Sequence, residues 1–213
     1  MGDADLAQLE RGRLCDLFVE VGPDHPTLCE GWTTADLAAH LVLRERKPLA
    51  APGIILGGRL GDYSEGVRTR LRDTTSFTDL VERVRGGPPA LLRPLDGAIN
   101  LSEYFIHLED VRRGDGTTGP RPVDEVDDVE AALWVMQGRR TKFLTRTLDD
   151  VDLTLALLDG ETKPIGGGSR PVTLTGRPGE LTLFLAGRRE AAQVELKGAT
   201  EAVDEVRTGQ LGI

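Results

Sequence analysis

Basic residues are in deficit in this chain: 26 Lys and Arg stand against 35 Asp and Glu in 213 residues, a formal net charge of −9. Without a basic excess or a basic stripe it is a poor candidate for gripping phosphate backbones or anionic membrane surfaces, so neither nucleic acid nor membrane is expected as a partner. Aromatics are scarce at 4%, which leaves Leu, Val and Ala to fill the core. No run approaches the ~20 apolar residues that a membrane helix needs. The opening segment, MGDADLAQLERGR, is acidic where an export signal would be basic and then apolar, so a cytoplasmic location is expected. Two cysteines, Cys15 and Cys29, do not make a disulfide framework. The plain expectation for them is a pair of reduced, partly buried thiols. Histidines number three, few enough to weigh one by one.

What is present reads first as helix. Leu6, Leu9, Arg13, Leu17 and Val21 recur at helical spacing over Asp3 to Val21, and Gly22-Pro23 stops the pattern. A turn-rich loop, GPDHPTLCEGW, follows. A second helix is expected over Thr34 to Arg46, with Thr33 as its cap, Asp36 three residues on in a weak capping box, and Trp32 and Leu37 as a hydrophobic staple; Pro48 closes it. Residues 48 to 96 are broken by APGIILGG and VRGGPP, hold at most a short helix over Phe77 to Val84, and read as a long crossover. Helices are expected again over Asn100 to Arg113 and Glu125 to about Leu148, the latter with Val129, Leu133, Met136 and Phe143 on one face. Near residue 150 the period changes to two: Val151, Leu153, Leu155 and Leu157 alternate with polar residues. PVTLTG and QVELKG read as two further strands, PGELTLFLAGRR and ATEAVDEVRT as helices. The expected fold class is mainly α with a small α+β part: a helical bundle over 1–148 and a small α+β domain over 149–213.

Chemistry concentrates on two of these helices. His25 sits beside Pro26 in the loop and reads as an ordinary loop histidine. His40 shares a helical stripe with Leu37, Leu41 and Arg44, which turns two polar groups toward the bundle interior, where they need partners. Glu103 and His107 are one turn apart, a spacing that lets two side chains chelate one ion. A bland reading fits the later helix equally well: Asn100, Glu103, His107 and Asp110 form a polar stripe opposite Leu101, Tyr104, Phe105, Leu108 and Val111, as a solvated face would.

The segment PTLCEGWTTADLAAHLVLRER resembles the second-helix signature of the mycothiol-dependent maleylpyruvate isomerase family, an actinobacterial branch of the DinB-like metal-binding four-helix-bundle superfamily. The matching residues are Cys29, Glu30, Gly31 and Trp32, then Asp36, Leu37, His40 and Leu41. The family's Glu-x-x-x-His on a later helix is matched by Glu103 and His107. The stretch VTLTGRPGELTLFLAGR with VELKG is similar to the sterol-carrier-like domain fused to that bundle. The resemblance spans nearly the whole chain, least over residues 48 to 96. It implies a divalent metal held by His40, Glu103 and His107, with mycothiol as the thiol cosubstrate, and a C-terminal Arg188 at a position that faces the bundle cleft in the family.

Two neutral imidazoles and one carboxylate leave a divalent ion with net charge +1 and an open position, as in catalytic zinc sites. A thiolate there would restore neutrality, and the ion would favour its deprotonation. Zinc is the default; Ni2+, Mn2+ or Fe2+ also suit the donor set. Arg44, one turn after His40, and Arg188 are the catalytic candidates, holding carboxylates of an anionic substrate. Asp110, three residues after His107, reads either as a group that orients its imidazole or, equally well, as a solvated or Arg-paired carboxylate. The function expected is a metal-dependent, mycothiol-using isomerase or S-transferase acting on small electrophiles, in a monomer or homodimer. A hydrolase using a metal-bound hydroxide and a non-catalytic metal or ligand-binding protein are the alternatives.

Overall fold

Helix α1 spans Asp3–Val21 and α2 Thr34–Arg46, the bounds that periodicity and capping residues predict. The computed structural model describes residues 2–46, 58–88, 96–144, 148 and 150–209. Residues 47–57, which carry the Pro48 stop and most of APGIILGG, lie outside the described residues. By its contacts the chain divides into two compact units, Met1–Thr118 and Gly119–Ile213.

In the first unit α3 (Gly58–Thr74), α4 (Phe77–Arg85) and α5 (Asp96–Arg112) complete the described helices. Helix α1 packs on α5 and α4, and α2 on α3 and α4. Leu14, Phe18, Leu37, Leu41, Leu43, Leu80, Tyr104 and Leu108 are among the residues of their shared core. Ser76 caps α4, accepting the Asp79 N–H at 3.1 Å.

Helix α3 corrects the reading of 48–96 as crossover. Its buried residues are Ser64, Arg68 and Leu71, so its inward side is too polar for an apolar count to find. Leu71 and Val67 reach the shared core, and charge adds to the docking. Arg68 and Arg72 both donate to Asp36 Oδ1 on α2, the latter at 2.8 Å. Arg68 also pairs with Glu65 and lies 4.6 Å over the Trp32 ring. Asp36 meanwhile takes the Thr33 N–H at 3.0 Å, the half of the capping box in which the third helical residue reaches back. Burial alone would raise the Asp36 carboxyl; the Thr33 N–H and the two guanidiniums outweigh it and hold it below the ordinary carboxylate range.

The second unit begins with α6 (Val123–Leu144). A boundary at 148/149 marks where strand periodicity starts, yet α6 is counted with the strands. The reason is specific bonding to α7 (Pro178–Leu185): Gln137 donates to Pro178 O and Thr182 Oγ1, and Glu130 accepts from Arg177 and from the Gly179 N–H. Trp134 joins the same core as Leu153, Leu174 and Phe184. The side chain of Phe143 lies outside the described residues.

Four strands form one sheet in the order β2-β1-β3-β4: β1 Val151–Ala156, β2 Thr162–Pro164, β3 Arg170–Thr175 and β4 Glu195–Gly198. Three were expected; β2 is the addition, three residues whose exposed, polar pattern carries no alternation signal. β1 pairs antiparallel with β2 and parallel with β3, Leu153 opposite Val172; β3 pairs antiparallel with β4. Helix α8 (Thr200–Thr208) packs on β3 and β4. Because β2 and β3 flank β1, the Gly-rich segment between them must pass across β1's end. Ile165 N–H and Gly166 N–H both donate to Leu153 O, and Arg170 N–H to Asp150 O. A Cβ on Gly168 would stand 2.1 Å from the Asp150 carbonyl carbon, whereas one on Gly167 would meet nothing within 4 Å. The chain is thus mainly helical with a small α+β part, the class that its periodicities predict.

Two outcomes follow. Gly168→Ala is expected to cost about 1–3 kcal/mol or more through backbone overlap, and Gly167→Ala to be neutral or slightly stabilising; urea unfolding of the pair checks this, and equal midpoints would refute the crossing. Asp36→Asn is expected to lose about 3 kcal/mol at pH 7, as breaking a buried ion pair does. A depressed carboxyl stabilises above its unfolded pKa of about 3.9, and that contribution fades as pH falls through the lower folded value. The gap between wild type and variant should therefore persist at neutral pH and close below about pH 4; a gap independent of pH would rule out the ionised carboxylate as its source.

Candidate functional site

The polar stripe of α5 is not a solvated face. Asn100, His107 and Asp110 are buried, the last completely, and so are Leu101, Tyr104, Phe105, Leu108 and Val111 on the other side. Only Glu103 of the stripe retains appreciable exposure, 26% of its side chain. A helix buried on both faces must satisfy its polar groups internally, and α5 does so around His107.

His40, buried on α2, lies with its ring centroid 5.4 Å from that of His107, the planes at 73°. His107 Nε2 is 3.7 Å from Glu103 Oε2. His107 Nδ1 is 2.9 Å from Asp110 Oδ2; a carboxylate only accepts, so Nδ1 carries the proton and donates. Of the three residues singled out as ligands, Glu103 and the His40 ring each lie beside His107. Burial by itself would lower the His107 pKa, but the bond to Asp110 and the neighbouring Cys29 sulfur outweigh it and push it up to about 9. Cys29 Sγ lies 3.3 Å from the same Asp110 oxygen. Cys29, His107 and Asp110 offer ligand-type atoms all within 4.8 Å of one another.

Around one imidazole stand Glu103 beside Nε2, Asp110 and Cys29 at Nδ1, and the His40 ring. Two of these spacings can be set against those of a bound ion. Two imidazoles on one tetrahedral zinc at 2.0–2.1 Å put their ring centroids about 5.2 Å apart, and two ligand atoms stand about 3.4 Å apart; 5.4 and 3.7 Å lie close to both. Cys29 and His107 are both hydrogen-bonded to one Asp110 oxygen, an arrangement that orients the imidazole. His25 is where a loop histidine should be, its Nδ1 2.8 Å from Pro26 O.

Arg44 Nε is 3.6 Å from Glu103 Oε2, and its guanidinium also donates to Asn100 Oδ1. It stands at the site as a paired cation. Arg188, partly buried in the second unit, donates to Ala186 O at 2.6 Å. Cys29 was not singled out from the sequence as a site residue. Asp110 lies 81 positions away from it, and no local spacing announces such a contact. Cys15 is buried, does not pair with Cys29 in a disulfide, and has its thiol pushed up to about 12 by burial, which leaves it inert.

An imidazole whose pKa is raised from the ordinary 6.5 to about 9 adds stability that is complete below pH 6.5 and lost as pH rises through 9. In chelator-treated protein the unfolding free energy is expected to fall between pH 6.5 and 9, and Asp110→Asn to remove most of that dependence. An Asp110→Asn protein with the wild-type pH profile would show that Asp110 does not hold the His107 proton.

No family model and no curated protein matches the chain in sequence. Among solved structures the chain is similar to the crystal structure of the mycothiol-dependent maleylpyruvate isomerase, with a TM-score of 0.58 over 93% of this chain and 92% of that one, at 17% sequence identity. At that identity the likeness is one of fold: a mainly helical architecture with a small α+β part. No helix among the described residues is long and apolar enough to cross a membrane.

Proposed function

We propose that the first unit holds one divalent metal ion between His40, Glu103 and His107, and that the protein uses a small thiol of the mycothiol kind to isomerise, or to conjugate through sulfur, a small electrophile. The observation that carries this reading is the burial of two imidazoles 5.4 Å apart, one with Glu103 beside its Nε2 and Asp110 on its Nδ1. The fold neighbour, a mycothiol-dependent isomerase, supports the choice of thiol chemistry.

Each residue then has a task. Asp110 keeps a proton on His107 Nδ1, so that Nε2, on losing its own proton, is the nitrogen that would meet the ion. Trp32, its ring centroid 5.2 Å from that of His40, restricts that second imidazole. Arg44 offers a guanidinium beside Glu103 for a substrate carboxylate. A bound divalent ion, zinc by default with Ni2+, Mn2+ or Fe2+ as competitors, would supply a positive charge that favours the ionised thiol. In the isomerase version the thiol sulfur adds to a conjugated double bond, the adduct turns about the single bond so formed, and loss of sulfur restores both alkene and thiol. In the transferase version the adduct is released. Reduced cysteines fit a cytoplasmic location, in a monomer or homodimer.

Metal content and thiol binding test the reading together. His40→Ala and His107→Ala are expected to strip most of the metal and His25→Ala none; equal content in all three would sink the assignment. Calorimetry of the zinc protein with mycothiol, repeated in buffers of different ionisation enthalpy, should show proton release approaching one per site, because a free thiol with a pKa near ~8.5 is mostly protonated at neutral pH. In the cobalt-substituted protein, saturating thiol should bring intense near-ultraviolet charge-transfer bands. Their absence with the metal still bound would reject the thiol.

A further inference from the structure

The loop between α1 and α2 is bound to the far end of α5 by more than packing. Leu28 N–H donates to Asp110 O at 3.0 Å. A Cβ on Gly114, just past the end of α5, would stand 2.1 Å from Pro26 O, so loop and helix end are in backbone contact. From this anchored loop the Cys29 thiol reaches Asp110 Oδ2 at 3.3 Å, the oxygen that also accepts His107 Nδ1–H at 2.9 Å. Asp110 has no exposed surface, and a buried carboxylate depends on such donors for both its charge and its orientation. Three residues on, the same loop delivers Trp32 to the His40 ring. Between them the turn is closed by Trp32 N–H donating to Cys29 O at 2.9 Å.

We propose that Cys29 is a positioning residue: its S–H, acting as neither metal ligand nor nucleophile, fixes the Asp110 carboxylate, and through it the His107 ring, so that Nε2 faces the ion. The proposal rests on the metal reading above and adds to it a residue in a different segment of the chain. Mechanically, the loop that leads into the His40 helix is tied to the residue that orients His107, so both imidazoles are referenced to one short turn.

Zinc affinity, measured by competition with a chromophoric chelator on the full chain, tests it. Outer partners of a metal-bound histidine are worth about 10–100-fold in metal affinity, and Asp110→Asn should fall in that range. Cys29 acts one bond further out, so Cys29→Ala, and Cys29→Val, which fills the volume without a donor, should weaken zinc by roughly 5–10-fold. Cys29→Ser, whose hydroxyl donates in the same direction, should stay within about 3-fold of wild type. Ala and Val variants that bind zinc like wild type overturn the proposal. So does a Ser variant as weak as Ala, which would make the effect one of packing alone. A second readout does not need the metal: in chelator-treated protein the downfield proton resonance of His107 Nδ1–H should survive in Cys29→Ser and shift or broaden in Cys29→Ala. Should wild type bind no zinc, the metal reading fails. The proton resonance then decides the positioning role: lost in Ala and kept in Ser supports it, unchanged in both overturns it.

Discussion

One buried carboxylate oxygen, Asp110 Oδ2, sets the chemistry of the bundle. It accepts from His107 Nδ1 at 2.9 Å and from Cys29 Sγ at 3.3 Å, on a residue with no exposed surface. An imidazole buried among apolar neighbours would ordinarily shed its proton, because burial disfavours the charged form. Here the anion keeps it. The consequence is directional as well as electrostatic: with Nδ1 committed to Asp110, Nε2 is the nitrogen beside Glu103. A metal at Nε2 would have to displace the proton that the charged ring carries there, since an ion and a proton compete for the same lone pair.

How far this was legible from residues alone divides by the kind of force involved. Helices α1 and α2 were legible to the residue, because apolar spacing, a Gly-Pro stop and a capping threonine all agree there. The strands and short helices after residue 150 were legible for the same reason, except β2, whose three residues are too few to show a period. Helix α3 was not, because charge helps to hold it in place. Its buried Arg68 answers Asp36, a partner that hydrophobic counting assigns only to a helix cap. The site shows the same split. Spacing placed Glu103 and His107 on one turn and Asp110 three residues on, but could not distinguish a solvated stripe from a buried one; burial on both faces of α5 decides that. Cys29 lay beyond any spacing rule, since its contact is made through the fold rather than along the chain.

The same distinction bears on Arg44. Helical geometry puts it one turn after His40, where it reads as a group held for an anionic substrate. In the structure the anion beside it is the protein's own Glu103, at 3.6 Å, with Asn100 as a further partner. The two readings are not exclusive. The Glu103 side chain is 26% exposed and that of Arg44 18%, and an ion pair so placed contributes at most about 1 kcal/mol. Coordination of the Glu103 carboxylate by a divalent ion would exceed that easily, since the ion carries twice the charge at a shorter distance. Under the proposed reading Arg44 therefore does two jobs in turn. Without metal it neutralises Glu103 and holds its carboxylate near His107. A divalent ion held by Glu103 would weaken that attraction and leave the Arg44 guanidinium able to meet a substrate carboxylate.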